Sequence, residues 1–349
     1  MKISPTHKIS LLTAAAVFAF TLGQTNAETV DPATAPKIDP PVRAFLKMLN
    51  AGSDKPIEQM TPEAARQVLA GAQKSVKVDL SGVEKTEKSI DVEGTQVKLT
   101  VVKPAGAKSD LPAFMFFHGG GWVLGDFPTH ERFVRDLVVG SGAVAVFVNY
   151  APSPEAHYPV AINQAYAATK WVAEHGQEIG VDGKRLAVAG NSVGGNMSAV
   201  VALMAKEKGG PAIKAQILFW PVTDANFDTA SYQEFGTKRF LTKNMMVWFW
   251  DNYTKNPAER KDIHASPLQA SVEQLKGLPP ALVMTVENDV LRDEGEAYAR
   301  KLSEAGVPVT TARYNGMIHD FGLLNPLANV PATAAAMRQA SAELKHHLK

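Results

Sequence analysis

Five short apolar runs, at residues 113–117, 143–148, 186–189, 217–220 and 281–286, are rich in β-branched or aromatic residues and are separated by stretches of helical periodicity. Runs of this kind suit strands buried on both faces, and strands that alternate with helices pair in parallel between two helical layers. The chain is therefore expected to be α/β, with a mostly parallel central sheet flanked by helices. A further strand is predicted at 309–314, and helices at 161–174, 196–206, 293–304 and 333–345, with Gly209 and Gly306 placed as stops. Ahead of them, alternation at 89–92 and 97–102 predicts a β-hairpin turning at Glu93 and Gly94.

Two segments depart from this rhythm. Residues 28–40 hold several prolines and read as a linker, followed by Val42, Phe45, Leu46 and Leu49 at helical spacing. Thr61-Pro62-Glu63 then marks a helix start, with threonine as cap, proline in the first turn and an acid beside it, and Gly71 reads as the stop. Residues 222–275 are too long for an ordinary crossover between strands, so they read as an inserted cap. The insertion carries Phe240, Met245, Met246, Trp248, Phe249, Trp250 and Tyr253, which suit either the wall of a site or a helix packed on the sheet. The expected division is 1–27 leader, 28–85 linker and cap helices, 86–221 with 276–349 main domain, and 222–275 inserted cap.

The leader has Lys2 and Lys8 ahead of an apolar run over 9–22, then small residues ending at Ala27, the pattern of a secretory signal cleaved near Ala27. Export to the periplasm or medium is the expectation; the alternative, an anchor, needs a longer apolar span of about 20 residues. Formal charge is +1 over 349 residues, and removing Lys2 and Lys8 with the leader leaves about −1 by the same count. No basic run with interleaved aromatics is present, so nucleic acid is not an expected partner. The chain has no cysteine, which excludes disulfides, thiolate metal sites and a cysteine nucleophile.

Gly190-Asn191-Ser192-Val193-Gly194 stands between a predicted strand and a predicted helix, the setting in which Gly-x-Ser-x-Gly forms a sharp turn that exposes the serine hydroxyl. That hydroxyl needs a base to take its proton and a carboxylate to orient the base. After Ser192 the chain has only His264, His319, His346 and His347. His319 follows a predicted strand at the sheet edge, His264 falls in the insertion, and the last two sit at the terminus. Asp289 follows the strand at 281–286 and is the candidate acid, with Glu287 and Asp293 as rivals. His118-Gly119-Gly120-Gly121-Trp122 follows the strand at 113–117; the amides of Gly119, Gly120 and Gly121, with that of Val193, are placed to stabilise an oxyanion. A phosphate loop or dinucleotide fingerprint does not fit this glycine spacing.

With those residues in place the sequence resembles the hormone-sensitive-lipase-like family of bacterial carboxylesterases from about residue 40 to the carboxyl terminus. Matching stretches include HGGGW at 118–122, GNSVGG at 190–195, DVLRDEGEAYA at 289–299 and YNGMIHDF at 314–321. The resemblance implies the α/β-hydrolase fold with a helical cap and a triad of Ser192, Asp289 and His319. It also implies oxyanion amides from Gly120, Gly121 and Val193, a supporting role for His118, and hydrolysis of short- to medium-chain esters without cofactor or metal. Asn191 and Val193 stand where the family usually has Asp and Ala, Val290 where it has Pro, and Ala151 where an arginine is typical. Deacetylase or amidase chemistry on the same triad, and a non-catalytic receptor on this fold, are the alternative readings. The expected partner is a small-molecule ester, with the chain a monomer or homodimer.

Overall fold

Apolar side chains on alternate residues of each central strand must be covered on both sides, and that requirement sets the layers. The computed structural model describes residues 31, 35–52, 55–92, 94–107 and 111–349; the leader at 1–27 and part of the linker lie outside them. The strands are β1 (Val83–Val92), β2 (Thr95–Pro104), β3 (Leu111–Phe117), β4 (Val144–Asn149), β5 (Val181–Asn191), β6 (Ile213–Phe219), β7 (Ala281–Asn288) and β8 (Val309–Ile318). They form one sheet in the order β1-β2-β4-β3-β5-β6-β7-β8. The β1–β2 and β2–β4 pairs are antiparallel, and every pair from β3–β4 to β7–β8 is parallel.

The helices are α1 (Pro40–Ala51), α2 (Pro62–Lys74), α3 (Phe127–Ser141), α4 (Val160–His175), α5 (Val193–Glu207), α6 (Ala230–Phe235), α7 (Lys243–Tyr253), α8 (Val272–Leu275), α9 (Arg292–Glu304) and α10 (Pro331–His347). Strand β3 shows how they cover the sheet. Its Phe114 and Phe116 join Phe133 and Leu137 of α3 and Ala340 and Leu344 of α10. The intervening Met115 and Phe117 join Ala165 and Val172 of α4 and Met197 and Val201 of α5. Each fully buried phenylalanine contributes about 1.5–3 kcal/mol.

Three local expectations are corrected. Helix α3 is absent from the sequence reading because His130, Arg132 and Asp136 interrupt its apolar spacing, yet Asp126 and Thr129 form a reciprocal capping box at its start. Helix α5 begins at Val193 rather than 196, directly after Ser192. Helix α2 starts as expected, with the Thr61 hydroxyl accepting the Ala64 amide, but runs through Gly71 to Lys74. Its last turn is held by buried Gln73, whose Nε2 donates to the carbonyls of Thr129 and Leu323. Those bonds outweigh the roughly 1 kcal/mol that a glycine costs within a helix.

Residues 222–275 carry α6, α7 and α8. From α7, Met245, Met246, Phe249, Trp250 and Tyr253 are buried in the cluster that also holds Phe117, Trp122 and Val193. The aromatic side chains of the insertion thus meet the carboxyl ends of the central strands. No helix among the described residues is long and apolar enough to cross a membrane.

Candidate active site

Ser192 occupies a backbone conformation of φ 55° and ψ −121°, the sharp bend between β5 and α5. The flanking glycines are there for steric reasons. A Cβ on Gly190 would lie 2.3 Å from the Gly194 carbonyl oxygen, and one on Gly194 would lie 1.9 Å from that of Phe117. The bend is held by the Ser192 amide donating to the Phe219 carbonyl at 2.9 Å and the Val222 amide donating to the Ser192 carbonyl at 3.2 Å.

His319 follows β8, and its Nε2 lies 3.0 Å from Ser192 Oγ. Its Nδ1 lies 2.7 Å from Asp289 Oδ2, in the loop after β7, and the other oxygen of Asp289 accepts the Leu291 amide. All three residues are buried. Burial alone would lower the basicity of His319, but Asp289 and then Asp320 outweigh it and hold the imidazole pKa above its ordinary value. The rival acids are engaged elsewhere: Glu287 accepts the Gly316 amide, and Asp293 accepts the Ser231 amide and the Arg292 guanidinium. His264 pairs with Glu207.

The glycine loop after β3 bends through positive φ at Gly120, Gly121 and Trp122. The expectation for Gly119 needs correction, because its amide already donates to Asn191 Oδ1 at 3.0 Å and lies 3.3 Å from His130 Nε2. The amides of Gly120, Gly121 and Val193 donate to no acceptor among the described residues. His118 is stacked between Phe147 and Tyr150, with ring centroids 5.4 and 4.1 Å away, and burial lowers its pKa to about 4. As a neutral ring it donates from Nδ1 to the Gly119 carbonyl at 2.8 Å, while the Tyr150 hydroxyl donates to the His118 carbonyl. Because a peptide plane is rigid, fixing the Gly119 carbonyl also fixes the direction of the Gly120 amide.

The profile of the α/β hydrolase fold family matches residues 114–323. A thermostable esterase from Pseudomonas putida, of known crystal structure, is 69% identical, with 90% of this chain and 99% of that one covered and a TM-score of 0.89. Carboxylesterase NlhH of Mycobacterium tuberculosis is 37% identical over 264 residues, 75% of this chain and 82% of NlhH. The chain belongs to the hormone-sensitive-lipase-like carboxylesterases. A putative α/β hydrolase of Acanthamoeba polyphaga mimivirus is 39% identical over 312 residues, 88% of each chain.

This carboxylesterase carries site residues that the sequence reading missed. Asp320 stands next to the histidine at φ 57°, with Oδ2 3.7 Å from His319 Nε2. Its Oδ1 accepts from Asn191 Nδ2 at 2.8 Å and from Trp220 Nε1 at 2.6 Å. A charged residue immediately after the candidate base was the available signal. Glu294 in the first turn of α9 is the second omission. Its Oε1 accepts the amides of Thr223 and Asp224, its Oε2 is buried without a partner, and burial raises its pKa well above the usual carboxylate range. An acid in the first turn reads from sequence as a favourable helix-end charge, and only the fold reveals that this one is enclosed.

Proposed function

We propose that Ser192 is the nucleophile, His319 its general base and Asp289 the acid that orients the ring, in hydrolysis of short- to medium-chain carboxylic esters. The observation that carries this reading is the pair of bonds on one imidazole, 3.0 Å from Nε2 to Ser192 Oγ and 2.7 Å from Nδ1 to Asp289. Ser192 Oγ attacks the ester carbonyl as Nε2 takes its proton, and the imidazolium formed is stabilised by Asp289. The amides of Gly120, Gly121 and Val193 receive the developing oxyanion, each worth about 3 kcal/mol in the transition state. The imidazolium returns its proton to the departing alcohol, and water then hydrolyses the acyl-enzyme by the same steps in reverse.

The preference for small acyl groups is supported by crowding around the loop. The ring of Phe249 on α7 occupies the space where a Gly121 Cβ would stand, 2.1 Å from its nearest ring atoms, and branched Val193 lies fully buried beside the nucleophile. We read the insertion at 222–275, with α1 and α2, as a cap over this site. Export after cleavage near Ala27 rests on the leader sequence.

Labelling with a nitrophenyl phosphonate and hydrolysis of nitrophenyl esters of rising chain length test the assignment together. Stoichiometric labelling that disappears in Ser192→Ala, with turnover falling about 10⁶-fold, is the expected result. Labelling at another residue, or turnover retained by Ser192→Ala, would overturn it. Turnover of matched amides at rates rivalling the esters would move the substrate class to amides.

A further inference from the structure

A loop with three consecutive glycines is free to turn its amides in many directions, so something outside it must hold them. Two peptide planes do so in series. The Gly120 carbonyl accepts the amides of Val123 at 3.1 Å and Leu124 at 2.7 Å. That carbonyl shares a rigid plane with the Gly121 amide and points opposite to it, so the direction of the Gly121 amide follows from these two bonds. The Leu124 amide, in turn, shares its plane with the Val123 carbonyl. That carbonyl is held by Arg66 of α2, whose Nε donates to it at 2.8 Å.

Arg66 is itself fixed on several sides. Its terminal nitrogens pair with both oxygens of Glu155 at 2.8 and 2.7 Å, and one also donates to the Ser153 carbonyl at 3.1 Å. Ser153 closes the circuit, because its amide donates to the Trp122 carbonyl at 2.8 Å. A guanidinium is suited to this task because its donors form a planar fork with fixed angles between them, which a lysine ammonium lacks.

Seven residues further along α2, Gln73 accepts the Asn325 amide and donates to the Leu323 carbonyl in the segment that follows His319. The distance between these two attachments is about 10 Å at 1.5 Å per residue. Helix α2 is therefore a strut between the glycine loop and the histidine loop, with Arg66 at the end that meets the glycines.

We propose that Arg66 is a positioning residue for the oxyanion amides, acting through the Val123 carbonyl and the Gly120–Gly121 peptide rather than touching substrate. This inference rests on the reading that those amides receive the oxyanion. No motif points to it, since Arg66 lies 57 residues from Val123 on a helix outside the sheet.

Steady-state kinetics of Arg66→Ala, Arg66→Lys and Glu155→Gln, normalised to sites titrated by a phosphonate, provide the test. Each variant is assayed on a nitrophenyl ester and its thionoester, whose sulfur is a poorer hydrogen-bond acceptor. In Arg66→Ala, kcat should fall about 10- to 100-fold, short of the loss from deleting a donor outright, with KM changing less than about twofold. The rate ratio of ester to thionoester should fall with it. Arg66→Lys should recover part of both losses, and Glu155→Gln should show the smallest change because the bond to Val123 remains. An unchanged kcat per titrated site, a loss confined to KM, or an unchanged ratio in Arg66→Ala would each overturn the proposal. If Arg66→Ala does not fold, the same ratio in Arg66→Lys decides the matter. Failure of the catalytic assignment itself is distinguishable, because phosphonate labelling of Ser192 would then be missing in the parent protein.

Discussion

The triad and the glycine loop are held by different kinds of structure. Ser192, Asp289 and His319 sit at the carboxyl ends of β5, β7 and β8, so their spacing follows from the ladders that pair these strands through β6. The glycine loop leaves β3 in the same layer, but apart from Asn191 at the end of β5 its partners come from elsewhere: Arg66 on α2, His130 on α3, Tyr150 after β4 and Phe249 on α7. The proposed nucleophile and base are thus placed by the sheet, and the amides proposed to stabilise the oxyanion are placed mainly by groups surrounding it. A substitution far from the chemistry is therefore expected to disturb the second region more readily than the first.

That contrast is sharpest for Asp289→Asn, which leaves the sheet intact but donates to His319 Nδ1 and so holds the imidazole in the wrong tautomer, with its proton on Nε2. The expected fall in kcat is about 10⁴-fold with little change in thermal melting, measured by nitrophenyl ester turnover and circular dichroism. A loss below tenfold would mean that the sheet edge supplies less of the catalysis than the geometry indicates. The loop should break through contact instead. In Gly121→Ala the new methyl collides with Phe249 at a backbone φ of 64°, and kcat should fall about 10²- to 10³-fold. Adding Phe249→Ala should restore part of that loss; a double variant no better than the single would place the damage in backbone strain alone.

Proton chemistry refines the comparison further. The proposed mechanism requires the base form of His319, whose pKa is raised, so kcat/KM should be lost on acidification with an apparent pKa above the ordinary 6.5. Asp320→Asn removes one of the two carboxylates responsible and should move that acid limb to lower pH. A limb that stays in place would remove Asp320 from the electrostatics of the base. The smallest effect concerns stability. Because burial raises the pKa of Glu294, folding takes up a proton there above the unfolded value near 4.5, and the stability it contributes is lost as pH rises. Glu294→Gln keeps an acceptor for Thr223 and Asp224 without that loss. Its melting temperature relative to the parent should therefore climb with pH above about 4.5, and a pH-independent difference would show that Glu294 is ionised in the fold.

The division between the two regions also explains what was legible in the sequence. The serine turn could be read because its requirements are local: glycines where a Cβ would strike Gly194 and Phe117, a strand before and a helix after. His319 could be located because few histidines remain after Ser192 and it follows a predicted strand, and Asp289 because it follows an apolar strand by a few residues. The sheet was legible from 113 onward for the same reason, whereas α3 was not, since its buried face is built partly from His130 and Arg132. Arg66 and Glu294 were illegible as site residues, and Asp320 offered only its place beside the candidate base as a signal. A charged side chain on a helix or loop has the same sequence signature whether it meets water or a carbonyl oxygen 57 positions away. Gly119 was misassigned because three adjacent glycines look equivalent, and only the Asn191 side chain distinguishes the one turned inward.

The bond from the Gly119 amide to Asn191 Oδ1 crosses from the loop after β3 to the residue immediately before the nucleophile. The gap between the proposed nucleophile and the proposed oxyanion amides is therefore set in part by the length of one side chain, and Asn191 serves as the spacer between the two segments.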